Sequence, residues 1–166
     1  MISQGIISYL EEKGVRYDRH PHPRAITAQQ LAEAAHVRGQ RVAKTVLVSA
    51  DGEAWMAVLP ANESVRPDRL AGILGADRVW LMPEVQFAGL FPDCEPGAEP
   101  PFGTLYGLPT VVDQALTHEP RILFRAGSHD EALEMGFSDY VAVEHPRIGE
   151  FGSPRHSDWP PQPDYP

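Results

Sequence analysis

Residues 42–49 read VAKTVLVS, and this run organises the rest of the chain. Its β-branched residues and its alternating apolar pattern predict a β-strand. An Asp51-Gly52 pair follows, and residues 54–59 then read AWMAVL, which is a second apolar run. Two such runs joined through an Asp-Gly turn predict an antiparallel hairpin.

Lys44 is the unusual residue of this strand. With the two-residue repeat of a strand it shares a face with Val42, Val46 and Val48. Two interpretations are open: the ammonium group extends over the strand edge into water, or it points into a cleft where its donors contact a polar substrate.

Bulk composition indicates one soluble domain. The chain has 166 residues, of which 42% are apolar and 22% are charged, and this length allows a sizeable core. We expect a domain over residues 1–151 and a disordered, proline-rich tail over 152–166, where Trp159 and Tyr165 are candidates for docking on a neighbour.

The charge and the cysteine content restrict the partners and the compartment. The net charge is −9, which argues against sequence-blind nucleic-acid binding. The charge is uneven, because residues 1–44 carry +3 and residues 45–166 carry −12, so a basic surface near the start is expected. A single cysteine, no signal-peptide pattern and no apolar run of membrane length predict a cytoplasmic protein that binds no membrane.

Helix and strand signals alternate along the chain. Helices are predicted after Ser3, after the Thr27/Gln30 capping box, from Pro67 and from Pro83. A second capping box, Ser128/Glu131, predicts a helix through Met135. Further predicted strands are 15–18, 79–82, 109–113, 121–126 and 140–144, and the prolines of residues 20–23 predict a break in regular structure. The fold class is therefore α/β of the α+β type, with a mixed, mostly antiparallel sheet or partial barrel and packed helices.

Several motifs contain residues that could bind a metal, act as a nucleophile or bind a ligand. His20 and His22 have a spacing that can chelate a metal, but no carboxylate or cysteine follows at metal spacing, so no metal site is predicted. Cys94 is a candidate nucleophile for an unrelated hydrolase, although its neighbours Asp93 and Glu95 disfavour the thiolate. The loop of residues 97–103 offers backbone donors, and Ser128-His129 follows a strand at a turn suited to a polar ligand.

Taken in order, these pieces resemble the YbaK/ProX family of aminoacyl-tRNA deacylases, which are relatives of the editing domain of bacterial prolyl-tRNA synthetases. The matching pieces are a TxxQLA helix, the VAKTVLV strand with its hairpin, a PGAxxPFG loop and an AGSH turn. The resemblance covers about residues 3–150. It implies a mixed α/β domain that hydrolyses, in trans, the ester joining a wrong amino acid to tRNA.

The resemblance also implies a set of site residues. The catalytic residues are Lys44, Gly97 and His129, with no cofactor and no metal. The substrate-binding residues are Ile26, Ala98, Pro101, Phe102, Gly103 and Ser128. This chain departs from the family pattern at Ala98-Glu99-Pro100, where Glu99 brings a negative charge to the expected pocket.

The implied partners are the acceptor end of a mischarged tRNA and an aminoacyl-tRNA synthetase. A non-catalytic module of the same fold, which binds tRNA ends or a synthetase without turnover, stays open as the alternative.

Overall fold

The predicted hairpin is the centre of the largest sheet. In the computed structural model, which describes residues 2–154, strands β2 (Ala43–Ala50) and β3 (Glu53–Pro60) pair antiparallel along their whole length. Asp51 and Gly52 form the turn with φ values of 52° and 91°. Positive φ at both positions matches the twist of the two strands, which is why an Asp-Gly pair is favoured there.

The ten strands described form three sheets. The five-stranded sheet has the order β5-β2-β3-β6-β9, in which β3, β6 and β9 are parallel and the other pairs antiparallel. The order β1-β8-β7 forms an antiparallel sheet, and β10 pairs with β4. A parallel bridge between Val42 and Leu123 joins β2 to β7. The other strands are β1 (Asp18–Pro21), β4 (Glu63–Val65), β5 (Val79–Leu81), β6 (Thr110–Asp113), β7 (Arg121–Arg125), β8 (Glu131–Gly136), β9 (Arg147–Gly149) and β10 (Gly152–Pro154).

Five α-helices of the described residues pack around these sheets. Thr27 and Gln30 form the predicted capping box of the second helix, in which Gln30 N donates to Thr27 Oγ1 at 3.0 Å and Thr27 N donates to Gln30 Oε1 at 3.1 Å. Capping satisfies amides that the first turn leaves without partners. The helices are α1 (Gln4–Glu12), α2 (Ala28–Ala34), α3 (Pro67–Leu74), α4 (Glu84–Phe87) and α5 (Phe137–Glu144). The mixed α/β architecture with mostly antiparallel pairing is confirmed.

The two faces of β2 serve different parts of the core. Leu47 belongs to the largest buried cluster, which α1 and α5 help to close. Val42 on the opposite face packs with Leu123 and Leu31 in a smaller cluster beneath α2. Because side chains alternate along a strand, Lys44 follows Val42 on the α2 face.

Two predicted elements are wrong in type. Residues 131–136 form strand β8 rather than a helix, because this segment is the middle strand between β1 and β7 and its pairing overrides local helix propensity. Residues 140–144 belong to helix α5 rather than to a strand. Phe137, Tyr140 and Glu144 are its buried residues, a spacing that follows the helical repeat.

The region of the two prolines also differs from the prediction. Strand β1 begins at Asp18, where the predicted strand ends, and it includes His20 and Pro21. The proline is tolerated because β1 pairs only with β8 and is an edge strand.

At the far end, Gly152–Pro154 pair with Glu63–Val65, so β-structure continues three residues into the expected tail. The remainder of that tail, with Trp159 and Tyr165, lies outside the described residues. Within residues 2–154, none of the helices has the length and apolar character needed to cross a bilayer.

Candidate active site

A small cavity lies where α2, the start of β2, the end of β7 and the 95–99 loop meet. Its volume is about 140 Å³. Apolar side chains of α2 and β2 form part of the wall, and four polar side chains form much of the rest. The lining residues are Ala28, Leu31, Val42, Ala43, Lys44, Thr45, Gly97, Glu99 and Arg125.

Lys44 is partly buried at the start of β2. Its Nζ donates to the carbonyl oxygen of Ala61 at 3.4 Å. Burial raises the pKa of Glu63, nearby Asp113 raises it further, and the positive charge of Lys44 lowers it. Lys44 is therefore within electrostatic reach of Glu63, and it is also one of the residues that line the cavity.

Gly97 forms the tight bend of the loop opposite Lys44. Its φ of 84° lies in the region that favours glycine. Its N–H donates to Glu99 Oε1 at 3.2 Å, and the next amide, of Ala98, donates to Glu95 O at 3.0 Å. These two amides therefore already have acceptors within the loop.

His129 contacts this loop at Glu95 and Pro96 and is not among the residues that line the cavity. A Cβ atom on Gly97 would lie 3.6 Å from His129 Cε1. The ring Nε2 lies 2.7 Å from Pro96 O, and because a carbonyl oxygen only accepts, Nε2 carries the proton. The backbone N–H of His129 donates to Glu95 Oε2 at 2.7 Å, and this bond holds the pKa of Glu95 below its usual value. His129 thus fixes the loop that carries Gly97.

Arg125 is the site residue that the sequence did not single out. Its side chain is 7% exposed, and Nη2 donates to the Thr27 carbonyl oxygen at 2.8 Å. Within residues 2–154, Nη1 is buried and has no hydrogen-bond partner. Burial lowers the pKa of Arg125 to about 10, against the raising effect of Glu95 and Glu99. Its position two residues after Leu123 places both side chains on the same face of β7, but the sequence does not show that α2 covers this face.

Glu99 and Thr45 complete the polar part of the wall. Glu99 is 7% exposed, and burial raises the pKa of its carboxyl group, whereas hydrogen bonds from the loop backbone lower it. The Thr45 hydroxyl oxygen is buried and has no partner in the described part of the chain. The carboxyl group expected at the pocket is thus part of its wall at residue 99.

The other predicted substrate-binding residues lie outside the cavity wall. Ile26 is exposed before α2, and Ala98 is buried behind Gly97, where its carbonyl oxygen accepts from Gly127 N at 2.8 Å. Phe102 packs in the core against Phe124 and Tyr140. Three more are backbone or turn positions: Pro101, whose carbonyl accepts from Tyr140, Gly103, which is pressed against Leu108, and Ser128, which hydrogen-bonds to Asp130.

The remaining candidates for chemistry lie elsewhere. Burial raises the pKa of Cys94 to about 12; the Tyr106 hydrogen bond lowers this pKa and Asp93 raises it. His20 lies 3.4 Å from Glu134 in an ion-pair cluster on the β1-β8-β7 sheet. Across residues 2–154, no three His, Cys, Asp or Glu side chains are grouped as a metal would require.

The arginines of the basic first part of the chain are largely paired. Ion pairs join Arg19 to Glu131 at 3.0 Å and Arg24 to Glu95 at 3.2 Å. Similar pairs join Arg38 to Glu119 and Arg41 to Glu134. Carboxylates from later in the chain therefore offset much of the positive charge expected there.

The fold and the cavity together define a class of proteins: mixed α/β domains in which a strand lysine and a glycine loop line one small pocket. The family model of the aminoacyl-tRNA editing domain matches residues 22–142. The chain belongs to this family, as the resemblance to YbaK/ProX proteins implied. No curated protein matches the sequence significantly.

Solved structures show the same fold at low sequence identity. The "hypothetical protein APE2540" superposes with a TM-score of 0.82 at 16% identity, over 90% of this chain and 100% of that chain. A "putative trans-editing enzyme for prolyl tRNA synthetase" gives 0.80 at 15% identity, over 90% and 96%. A "putative signal transduction protein" from Marinobacter aquaeolei VT8 gives 0.72 at 17% identity, where the match covers 92% of this chain and 31% of that chain.

Proposed function

We propose that this protein hydrolyses the ester bond of mischarged aminoacyl-tRNA in trans. The observation that carries the proposal is that Lys44 and Gly97, distant in sequence, line the same small cavity. Membership of the editing-domain family supports the reaction class. Because charged tRNA is used in translation, the proposed site of action is the cytoplasm.

The size of the cavity supports an amino acid as the part that enters. A volume of about 140 Å³ is well below the ~300–1,000 Å³ of pockets for drug-sized ligands. The aminoacyl group fits this space, whereas the terminal ribose and the tRNA acceptor end remain at the mouth. The tRNA end is thus the proposed partner, and a synthetase that releases the tRNA is a further candidate.

In the proposed mechanism Lys44 is the main catalytic residue. An aminoacyl ester is already activated, so positioning and stabilisation of the developing oxyanion are the main requirements for attack by water. The ammonium group of Lys44 donates to the ester carbonyl oxygen or to the neighbouring 2′-hydroxyl group. The Gly97 amide joins it when Glu99 releases that N–H, and His129 positions the loop.

The test compares two alanine variants on a panel of mischarged tRNAs. Lys44→Ala should lower deacylation by ~10²–10³-fold, as loss of one oxyanion donor typically does, while the melting temperature changes little. The matched control is Lys13→Ala, because Lys13 is the only other lysine and lies exposed at the end of α1.

Wild-type turnover by Lys44→Ala would overturn the mechanism. A wild-type protein that binds acceptor ends without releasing the amino acid would instead establish the non-catalytic module.

A further inference from the structure

The cavity has a second cationic residue, Arg125. A parallel bridge pairs Val42 with Leu123, and Lys44 and Arg125 each follow two positions later on the same face of their strand. Both face α2 and both line the cavity. Of these two cationic residues, the ester chemistry proposed above uses only Lys44, so the role of Arg125 needs its own explanation.

The two side chains differ in depth. Lys44 is partly exposed, whereas Arg125 is 7% exposed and lies among fully buried residues such as Leu123. A substrate whose tRNA stays outside must enter with its amino acid first. Its ester therefore reaches Lys44 near the mouth, and its side chain reaches the deeper level of Arg125.

The deep end holds a donor group that the described protein leaves without a partner. Arg125 Nη1 is buried and lacks a hydrogen-bond partner within residues 2–154. A buried donor without an acceptor is unfavourable, so a ligand that supplies an oxygen atom there is favoured over one that supplies a methyl group.

From this geometry we infer that Arg125 is a specificity-determining residue, which selects amino acids with a short hydroxyl side chain, such as serine, over alanine. The inference rests on the proposed function. The substrate hydroxyl oxygen accepts from Arg125 Nη1. The substrate ammonium group lies toward Glu99.

A hydroxyl fits this site better than a carboxylate does. Glu99 lines the same cavity and is as deeply buried as Arg125. A substrate carboxylate would place a second negative charge beside Glu99, and this repulsion opposes the attraction of Arg125 and Lys44, whereas a hydroxyl group reaches the unpaired donor without it. Alanine is disfavoured because it supplies no oxygen atom.

The test uses stable amide analogues of the aminoacyl end: 3′-amino-3′-deoxyadenosine carrying seryl, alanyl or aspartyl groups. Titration calorimetry should show that the wild-type protein binds the seryl analogue about 10–100-fold more tightly than the alanyl analogue, as expected for one hydrogen bond to a charged group. Arg125→Met, which keeps an unbranched side chain without the donor, should abolish this preference. Arg147→Met is the control, because Arg147 is exposed beside Trp55 on the edge strand β9.

Equal affinity of the wild-type protein for the seryl and alanyl analogues would overturn the inference without use of any variant. So would an unchanged preference in Arg125→Met, or tighter binding of the aspartyl analogue. Seryl preference without hydrolysis of seryl-tRNA would refute the proposed deacylase but leave the assignment of Arg125 standing.

Discussion

The two ends of strand β7 carry the same residue type in opposite surroundings. Arg121 at the start is 39% exposed, and its guanidinium group donates to Glu134 Oε1 at 2.6 Å and to Asp18 Oδ2 at 2.7 Å. Arg125 at the end is buried with one donor bonded to a carbonyl oxygen and another, Nη1, left without a protein partner in the described residues.

This difference separates a structural charge from a ligand-facing one. At the paired end every strong interaction is completed within the protein, and Arg41 and His20 add to the contacts of Glu134. At the cavity end the buried Arg125 keeps one donor, Nη1, to which another molecule can supply a hydrogen-bond acceptor. We therefore expect changes at the paired end to affect stability and changes at the cavity end to affect function.

The largest expected effect on stability is at the paired end. Glu134→Gln should lower the free energy of unfolding by about 2 kcal/mol, less than for a fully buried pair because Arg41 and Arg121 can regain water. Chemical denaturation at pH 7 measures this difference. A variant as stable as the wild-type protein would show that the ion pairs of Glu134 do not stabilise the fold.

The same variant has a pH signature. Burial raises the pKa of Glu134, but the hydrogen bond from Arg121 and the charges of Arg41 and His20 outweigh this and hold it below its usual value. A carboxylate with a lowered pKa stabilises the fold above the unfolded pKa of about 4.3 and loses this effect as the pH falls through its folded value. The stability difference from Glu134→Gln should thus be full at pH 7 and shrink below about pH 4.

Gly97→Ala tests the loop at the cavity end. The variant should lose about 1–2 kcal/mol of stability through its positive φ, and it should lose deacylase activity because the strained loop no longer holds the Gly97 amide in place. The added Cβ would lie 3.6 Å from His129 Cε1, which is an ordinary contact distance. Gly14→Ala is the matched control, since Gly14 has a φ of 70° and nothing within 4 Å of an added Cβ. If both variants kept full deacylase activity, the positive φ of Gly97 would not be required for activity.

The two arginines of β7 can be compared directly. Arg121→Met should cost about 1 kcal/mol, because it loses charged hydrogen bonds that are partly solvent-screened. Arg125→Met should cost less, since removing a buried charge offsets the lost bond to Thr27 O, which still accepts from Leu31 N at 2.9 Å. A loss above about 3 kcal/mol in Arg125→Met would show that this residue serves the fold.

The smallest effect is expected at Cys94. With a pKa of about 12 the thiol stays protonated at neutral pH, so alkylation should be slow and Cys94→Ser should leave deacylation unchanged. Rapid inactivation by iodoacetamide, absent in Cys94→Ser, would favour the alternative hydrolase that uses this cysteine.

Part of the candidate site could be predicted from sequence. Lys44 stood out because a cation interrupted a valine face, whereas Gly97 was assigned through the resemblance to the YbaK/ProX loop, where glycine lets a substrate approach the main chain closely. Arg125 gave no such signal, since an arginine at the end of a strand normally reaches water. Only the packing of α2 over β2 and β7 shows that this one is buried.

By itself, the sequence determined the elements whose signals are local: the β2-β3 hairpin through its Asp-Gly turn, the capping box of α2, and the proline start and glycine end of α3. The tertiary structure alone decided that residues 131–136 form a middle strand, that residues 137–144 form a helix, and that Arg125 faces a cavity beside Lys44. The physical reason is the distance in sequence between interacting residues. Caps and turns are completed by residues a few positions apart, whereas strand pairing and burial depend on partners that only the folded chain brings together.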